Sequence, residues 1–314
     1  MTGVDGFAGS HLADLLVAEG HLVHGAIRGA TPSATAQLSR RVRCHPINLL
    51  RRSAVDELMR AIKPEWVFHL AAASSPAKSW DDPAGTLHTN LGCQANVLAA
   101  ASALKTPPAL LVVGSGDEYG EQPDHGERAI TEEAPLRPLT PYGVSKVGQD
   151  LLGLQYFLSL GLPVVRVRPF NHTGPRQLPT FAIPSFARQV ARMEAGRQPP
   201  TLRVGNLDAR RDFTDVRDMV RAYRLAIEQG RPGEVYNLGA GQAPTLRQVV
   251  ELLLPMSRVP ITVEVDPART HAVEVSTYWC DATKFRRLTG WQPAIPLDRT
   301  LRDTLDYWRL MERN

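Results

Sequence analysis

A chain of 314 residues and 34.5 kDa exceeds what one hydrophobic core usually serves, so one large domain with a smaller appendage is expected. Hydrophobic residues at 43% and charged residues at 22% exclude a disordered chain and a coiled coil. The net charge of +4 comes from scattered basic residues paired only at Arg40-Arg41, Arg51-Arg52, Arg210-Arg211 and Arg286-Arg287, which excludes a nucleic-acid stripe and suits a small anionic substrate such as a nucleotide conjugate.

In chain order the pattern predicts a helix from about Gly9 to Glu19, a strand in HLVHGAI, a helix around SAVDELMRAI and a strand in WVFHLAA. A helical run TNLGCQANVLAAASAL, a strand ALLVVGS, a helix from about Tyr142 to Leu160 and a strand PVVRVRPF follow. Such alternation means an α/β fold, a doubly wound parallel sheet flanked by helices. After Phe170 the texture changes to NHTGPRQLPTFAIPSFARQ, and prolines recur at Pro199-Pro200, Pro244, Pro255 and Pro260. The expected division is a cofactor-binding domain over 1–170 and a smaller α+β lobe over 171–314, with a return of the chain to the first domain near 212–240. No window has the roughly 18 apolar residues of a membrane helix and no leader pattern is visible, so a cytoplasmic protein is expected. Cys44, Cys93 and Cys280 lie far apart without metal-ligand spacing, so neither a disulfide framework nor a metal site is expected.

Gly3, Gly6 and Gly9 form GxxGxxG in TGVDGFAGSHL. Glycines at these spacings let backbone approach a pyrophosphate at the positive end of the following helix, although a plain turn would read the same way. Arg28 closes the second strand where a NAD enzyme carries an acid for the ribose; an arginine there faces a 2′-phosphate and favours NADP over NAD, unless it is simply a solvated loop residue. Ser115 ends a strand in GSGDEYG, and Tyr142 and Lys146 in PYGVSK stand at i and i+4 on one helical face. A neighbouring ammonium is expected to lower the phenol's pKa, making Tyr142 a proton donor to a carbonyl that Ser115 orients.

Together these segments resemble the extended short-chain dehydrogenase/reductase family, in its nucleotide-sugar branch. The resemblance runs through TGVDGFAGSHL, HLAAASSPAKSW, GSGDEYG, PYGVSK, RPFNHTGP, GNLDARRDFTDVRDMVRAY and TGWQP, almost the whole chain. RPFNHTGP, FAIPSFARQ and GNLDARRDFTDVRD narrow it to the reductases of GDP-4-keto-6-deoxy-D-mannose, which form GDP-D-rhamnose.

The resemblance implies a Rossmann-type sheet, catalytic Ser115, Tyr142 and Lys146, NADPH or alternatively NADH as hydride source, a GDP-linked 6-deoxyhexulose substrate and a homodimer built from two helices per subunit. It adds Phe7, Asn48, Leu49, Ala71, Ala72, Ala73, Pro169 and His172 to the cofactor contacts, beside Tyr142 and Lys146. For the substrate it implies Ser75, Asp117, Glu118, Asn171, Arg211, Arg269 and Glu274. Arg211 has a bland alternative as a salt-bridge partner of Asp212, Asp215 or Asp218. The family carries Arg-Pro where this chain has His271-Ala272, so a second diphosphate-binding arginine is either absent or supplied by Arg269. Its fold places a central strand before the glycine loop, yet only Met1 and Thr2 precede Gly3, so a late start of the chain is expected. A GDP-mannose 4,6-dehydratase is the nearest alternative; that family has Thr-Ser-Glu where this chain has Ser115-Gly116-Asp117. A non-catalytic, cofactor-sensing member of the fold is the alternative of another class.

Overall fold

The computed structural model describes residues 1–29, 38–122, 128–269 and 277–313. The strands in chain order are β1 (His24–Ile27), β2 (Arg43–Pro46), β3 (Trp66–His69), β4 (Ala109–Val113), β5 (Val164–Pro169), β6 (His172–Thr173), β7 (Thr201–Val204), β8 (Arg210–Arg211), β9 (Thr214–Asp215), β10 (Val235–Leu238), β11 (Thr262–Val265) and β12 (Thr277–Tyr278). The helices are α1 (Phe7–Ala18), α2 (Arg52–Ile62), α3 (Pro83–Ser102), α4 (Pro141–Leu160), α5 (Ala182–Glu194), α6 (Val216–Gln229), α7 (Leu246–Leu253), α8 (Thr283–Thr289) and α9 (Leu297–Met311).

The main sheet is parallel, with strands in the order β10-β5-β4-β3 and, beyond a gap, β1-β2. Met1 and Thr2 bridge that gap, at the position where the central strand was expected. Thr2 pairs in parallel with Ala26 on one side and His69 on the other, and its amide donates to the Phe68 carbonyl at 2.9 Å. On the far side the Ala26 amide donates to the Met1 carbonyl at 2.8 Å.

Alternation along the strands divides the core. Phe68, Leu111, Val165 and Val167 face α1 and α6, whereas Val67, Leu110, Val112 and Val164 face α2 and α3. A separate core joins α5, α7, α9 and β7 around Phe186, Leu202, Leu253, Leu301 and Trp308. The chain returns to the large core twice: with Val216–Leu238, and again with Tyr278, Cys280, Phe285 and Trp291. That second return had no signal in the proline-rich C-terminal sequence, and it carries Tyr278 to the site described below.

Candidate active site

The glycine loop packs as tightly as its sequence requires. Gly3 has φ +63°, and a Cβ there would lie 2.9 Å from the Ala71 nitrogen. A Cβ on Gly9 would lie 2.0 Å from the Gly3 carbonyl oxygen, so only glycine lets α1 start this close to the loop. Helix α1 begins after Gly6 with no capping side chain and no acidic residue in its first turn, so its amides and positive dipole end suit an anion. This cradle fits the pyrophosphate of a dinucleotide.

The remaining cofactor candidates surround the same end of the sheet. Arg28 is exposed directly after β1. After β2, Asn48 is exposed and its side-chain oxygen takes the Leu50 amide at 3.0 Å, while half-buried Leu49 holds the Asn96 amide through its carbonyl at 2.9 Å. Ala71, Ala72 and Ala73 follow β3; the Ala71 amide donates to Thr2 Oγ1 at 3.1 Å, and the Ala73 amide donates to Asn90 Oδ1 at 2.7 Å. Pro169 closes β5 in a buried position. The His172 ring stacks on Phe7 with centroids 5.7 Å apart, joining the 170s turn to the start of α1.

Helix α4 explains the placement of Tyr142 and Lys146. Thr140 caps it by accepting the Gly143 amide at 3.0 Å, and Pro141 occupies the first turn, where its missing N–H costs nothing. Tyr142 therefore stands in the first turn and Lys146 one turn later, facing the end of β4. Lys146 Nζ donates to the Val113 carbonyl at 2.8 Å and lies 5.8 Å from the centre of the Tyr142 ring. Two residues beyond Val113, Ser115 caps a short 3₁₀ turn over Gly116–Glu118, and its hydroxyl accepts the Asp117 amide at 3.1 Å and stands beside the Tyr142 phenol, favouring its ionised form.

The electrostatics correct one expectation. Tyr142 is 8% exposed, and burial, reinforced by the negative charge of Asp117 and opposed by the Ser115 hydroxyl, pushes its phenol above the ordinary range rather than below it. Burial lowers Lys146 to about 8, with Glu118 acting in the opposite direction. The phenol therefore holds its proton near neutrality, as a proton donor must.

The substrate candidates divide into those that meet at this site and those that do not. Asp117 and Asn171 both accept from the Tyr278 hydroxyl, at 3.0 Å and 2.6 Å. Arg211 pairs with Tyr278 in the β8–β12 ladder, and its guanidinium lies 5.5 Å from the Tyr278 ring centre. The carboxylates suggested as alternative partners of Arg211 are engaged elsewhere: Asp212 with the amides of Ala240, Gly241 and Cys280, Asp215 with Arg217 and Thr300, and Asp218 with Arg221 and the amides of Ala294 and Ile295. Ser75 turns its hydroxyl to the Lys78 amide at 3.3 Å.

Glu118 is a correction. It was expected to touch substrate, but it is fully buried behind Ser115, between the Ser115 amide (2.8 Å) and Arg168 (3.1 Å). Arg269 is exposed in the turn after β11 and pairs with Asp266 at 3.3 Å. Glu274, like His271 and Ala272, lies outside the described residues.

Sequence reading missed four contributors. Tyr278 had no motif around it, and only its pairing with Arg211 brings it to the site. Asn90, fully buried in α3, donates to Ser145 Oγ at 2.8 Å while holding Ala73, and so fastens the β3 loop to the catalytic helix; it is one of three amides in that helical run, with Gln94 and Asn96, and nothing local set it apart. Arg168 and Asp150 form a buried charge pair beneath the site.

This arrangement, a parallel sheet with a glycine cradle at its carboxyl ends and a serine, tyrosine and lysine beside it, is that of a dinucleotide-dependent oxidoreductase. The description of the GDP-mannose 4,6 dehydratase family matches residues 1–304, and the chain belongs to that family of NAD(P)-dependent nucleotide-sugar dehydratases, reductases and epimerases. It is 35% identical to the GDP-6-deoxy-D-mannose reductase of Pseudomonas aeruginosa over 308 residues, 98% of this chain and 96% of that protein. The structure of RMD from Pseudomonas aeruginosa complexed with NADPH superposes with a TM-score of 0.85 at 33% identity, covering 98% of this chain and 97% of that one. The UDP-glucose 4-epimerase of Thermus thermophilus in complex with NAD gives 0.87 at 28% identity, covering 98% and 97%.

Proposed function

We propose that the protein reduces the C4 ketone of GDP-4-keto-6-deoxy-D-mannose with NADPH, forming GDP-D-rhamnose. The observation that carries this reading is the state of two acids side by side. Buried Tyr142 keeps its proton beside Ser115, whereas Asp117, the carboxylate available to start an elimination, is engaged by Tyr278.

The glycine cradle of Gly3, Gly6 and Gly9 would hold the pyrophosphate of NADPH, with Arg28 at its 2′-phosphate and Asn48, Leu49 and Ala71–Ala73 along the adenosine and ribose. When bound, NADPH supplies the hydride. Ser115 holds the ketone oxygen by a hydrogen bond and Tyr142 gives its phenol proton to that oxygen as negative charge develops there. The Lys146 ammonium stabilises the tyrosinate that results until solvent returns the proton. Arg211 and Asn171 would hold the diphosphate of the sugar nucleotide, with the guanidinium supplying a charge-assisted contact. A homodimer of the kind the resemblance implies would bury the exposed stripe Val144, Leu151 and Leu158, spaced by seven along α4, together with Trp80.

The family description favours a second reading, GDP-mannose 4,6-dehydratase. Incubation of the purified protein with NADPH and GDP-4-keto-6-deoxy-D-mannose separates the two. Stoichiometric oxidation of NADPH with GDP-D-rhamnose identified by mass and NMR is the expected outcome; turnover of GDP-mannose with no net use of cofactor would establish the dehydratase instead.

A further inference from the structure

The ladder that brings Arg211 to Tyr278 is only two residues long, with Arg210 opposite Thr277 and Arg211 opposite Tyr278. Two strands of that length do not hold together by themselves, so the seat of Arg211 and Tyr278 needs another fastening. It lies in the residue after Arg211. Asp212 is fully buried, and its carboxylate accepts three backbone amides: Ala240 on Oδ1 at 2.8 Å, Gly241 on Oδ2 at 2.9 Å and Cys280 on Oδ2 at 3.1 Å.

Cys280 stands two residues beyond Tyr278, so this one carboxylate joins the ends of β8 and β12 just past the Arg211–Tyr278 pair. The other two amides belong to the turn after β10. Gly241 has φ +76°, and successive amides of the turn converge on the same side chain. From its other side the turn is held by Arg286 of α8, which donates to the Gly239 and Ala240 carbonyls at 3.2 Å and 2.9 Å. A few residues on, the Pro244 carbonyl accepts the Arg211 amide at 3.2 Å. Gly239 leaves room for the junction, since a Cβ there would stand 2.8 Å from Asp212 Oδ2 and 2.7 Å from Cys280 Cβ. Three segments distant in sequence therefore meet on one carboxylate, beside the two side chains that the strand pairing brings to the site.

We propose that Asp212 is a positioning residue for the sugar nucleotide: by clamping β8, the end of β12 and the 240–241 turn, it sets the Arg211 guanidinium and the Tyr278 hydroxyl, and through that hydroxyl Asn171, at the spacing the substrate diphosphate requires. This rests on the reading of Arg211 and Asn171 as diphosphate ligands. Both Asp212 oxygens are turned to backbone amides, so it acts through Arg211 and Tyr278 and not on the substrate itself. Burial raises its carboxyl to about 6, against the three amides and the Arg286 charge, so near neutrality it is ionised, as an acceptor of three amides must be.

The test is Asp212→Asn, which keeps the shape of the side chain but turns an NH2 group against at least one of the three amides. Hydrogen exchange needs no ligand: in the peptides that carry 240–241 and 278–280, exchange should quicken by about tenfold or more in the variant. The affinity for GDP, measured by calorimetry, and KM for GDP-4-keto-6-deoxy-D-mannose should weaken together by roughly tenfold, while kcat and NADPH affinity stay within about twofold. Parallel loss of kcat, NADPH affinity and GDP affinity would show a merely structural role and overturn the proposal, as would unchanged GDP affinity with quickened exchange. UDP is titrated beside GDP, because the clamp serves the diphosphate and not the base. Tighter binding of UDP, weakened in the variant by the same factor, would support the clamp and overturn the GDP reading, whereas binding of neither nucleotide to the unaltered protein would overturn both. Gly241→Ala covers the case in which Asp212→Asn does not fold. The alanine would meet nothing closer than 3.5 Å, but at φ +76° it is strained, so one of the three amides is loosened without a clash. KM for the sugar nucleotide should then rise roughly threefold at constant kcat. An unchanged KM in folded Gly241→Ala would reject the clamp.

Discussion

The two halves of the site are built differently. Ser115, Tyr142 and Lys146 stand at the end of a central strand and in the capped first turns of one helix, held by the Val113 carbonyl and the Thr140 cap. Asp117, Asn171, Arg211 and Tyr278 come from four separate segments, and Arg211 and Tyr278 meet only because two short strands, β8 and β12, pair in register. The chemical half is fixed by local structure on rigid elements, while the recognition half depends on long-range pairing. A substitution in the first should therefore remove turnover without disturbing binding, and one in the second should do the reverse.

The sharpest break in that comparison is Tyr142→Phe. It removes the proton donor and little volume, so ketone reduction should fall by about 10²–10⁴-fold while NADPH affinity, followed by fluorescence titration, stays nearly constant. Loss of NADPH binding in a folded variant would show that the chemical half is not separable from the cofactor cradle. Next in size is Arg211→Ala on the recognition side. Loss of a charged hydrogen bond of about 1.5–3 kcal/mol should raise KM for the GDP-linked ketone by roughly 10–100-fold and leave kcat within a few fold. An unchanged KM with a lower kcat would move Arg211 to the chemical half.

The same contrast decides what could be read from the sequence. The alternation of strands and helices up to Phe170 and the Tyr142/Lys146 spacing were legible because each is a local periodicity, and the helix and the sheet obey it. Asp150 was legible in principle, since it continues the i, i+4 face of Tyr142 and Lys146. Arg166 and Arg168 were not: charged residues alternating with valines read as a solvated sheet face, yet both are buried against Asp150 because α4 covers that face. Glu118 was misread for a related reason. It adjoins Asp117 in sequence, but the 3₁₀ turn sends the two carboxyls apart, Asp117 to Tyr278 and Glu118 behind Ser115. Tyr278 could not be found at all, because its neighbours are set by a strand pairing that no local pattern announces.

Arg28 tests whether the cradle belongs with the chemical or the recognition half. It is exposed at the end of β1, and Arg28→Asp replaces attraction for a 2′-phosphate by repulsion in a well-screened position. The ratio of kcat/KM for NADPH to that for NADH should fall about tenfold, through KM alone. Equal loss with both cofactors would mark a structural role for the residue instead.

The smallest expected effect belongs to Tyr278→Phe. The phenol contacts Asn171 at 2.6 Å and Asp117 at 3.0 Å, but it has a single hydrogen to give, so the two contacts are worth less than two full hydrogen bonds. The ring, which packs on Phe170 and lies under the Arg211 guanidinium, survives the substitution. What is lost is the tie between the segment that carries Asp117 and the one that carries Asn171. KM for the sugar nucleotide should therefore rise by roughly threefold to tenfold with kcat nearly unchanged, a smaller version of the Arg211 effect on the same parameter. The Tyr278 hydroxyl also restrains Asp117 by favouring its ionised form, so the variant should bind a proton at Asp117 more readily, and its KM should depend more steeply on pH in the acid range than that of the unaltered protein. A fall in kcat with KM unmoved would mean that Tyr278 acts on Tyr142 through Asp117, and the division between chemistry and recognition would fail at the one carboxylate that lies between them.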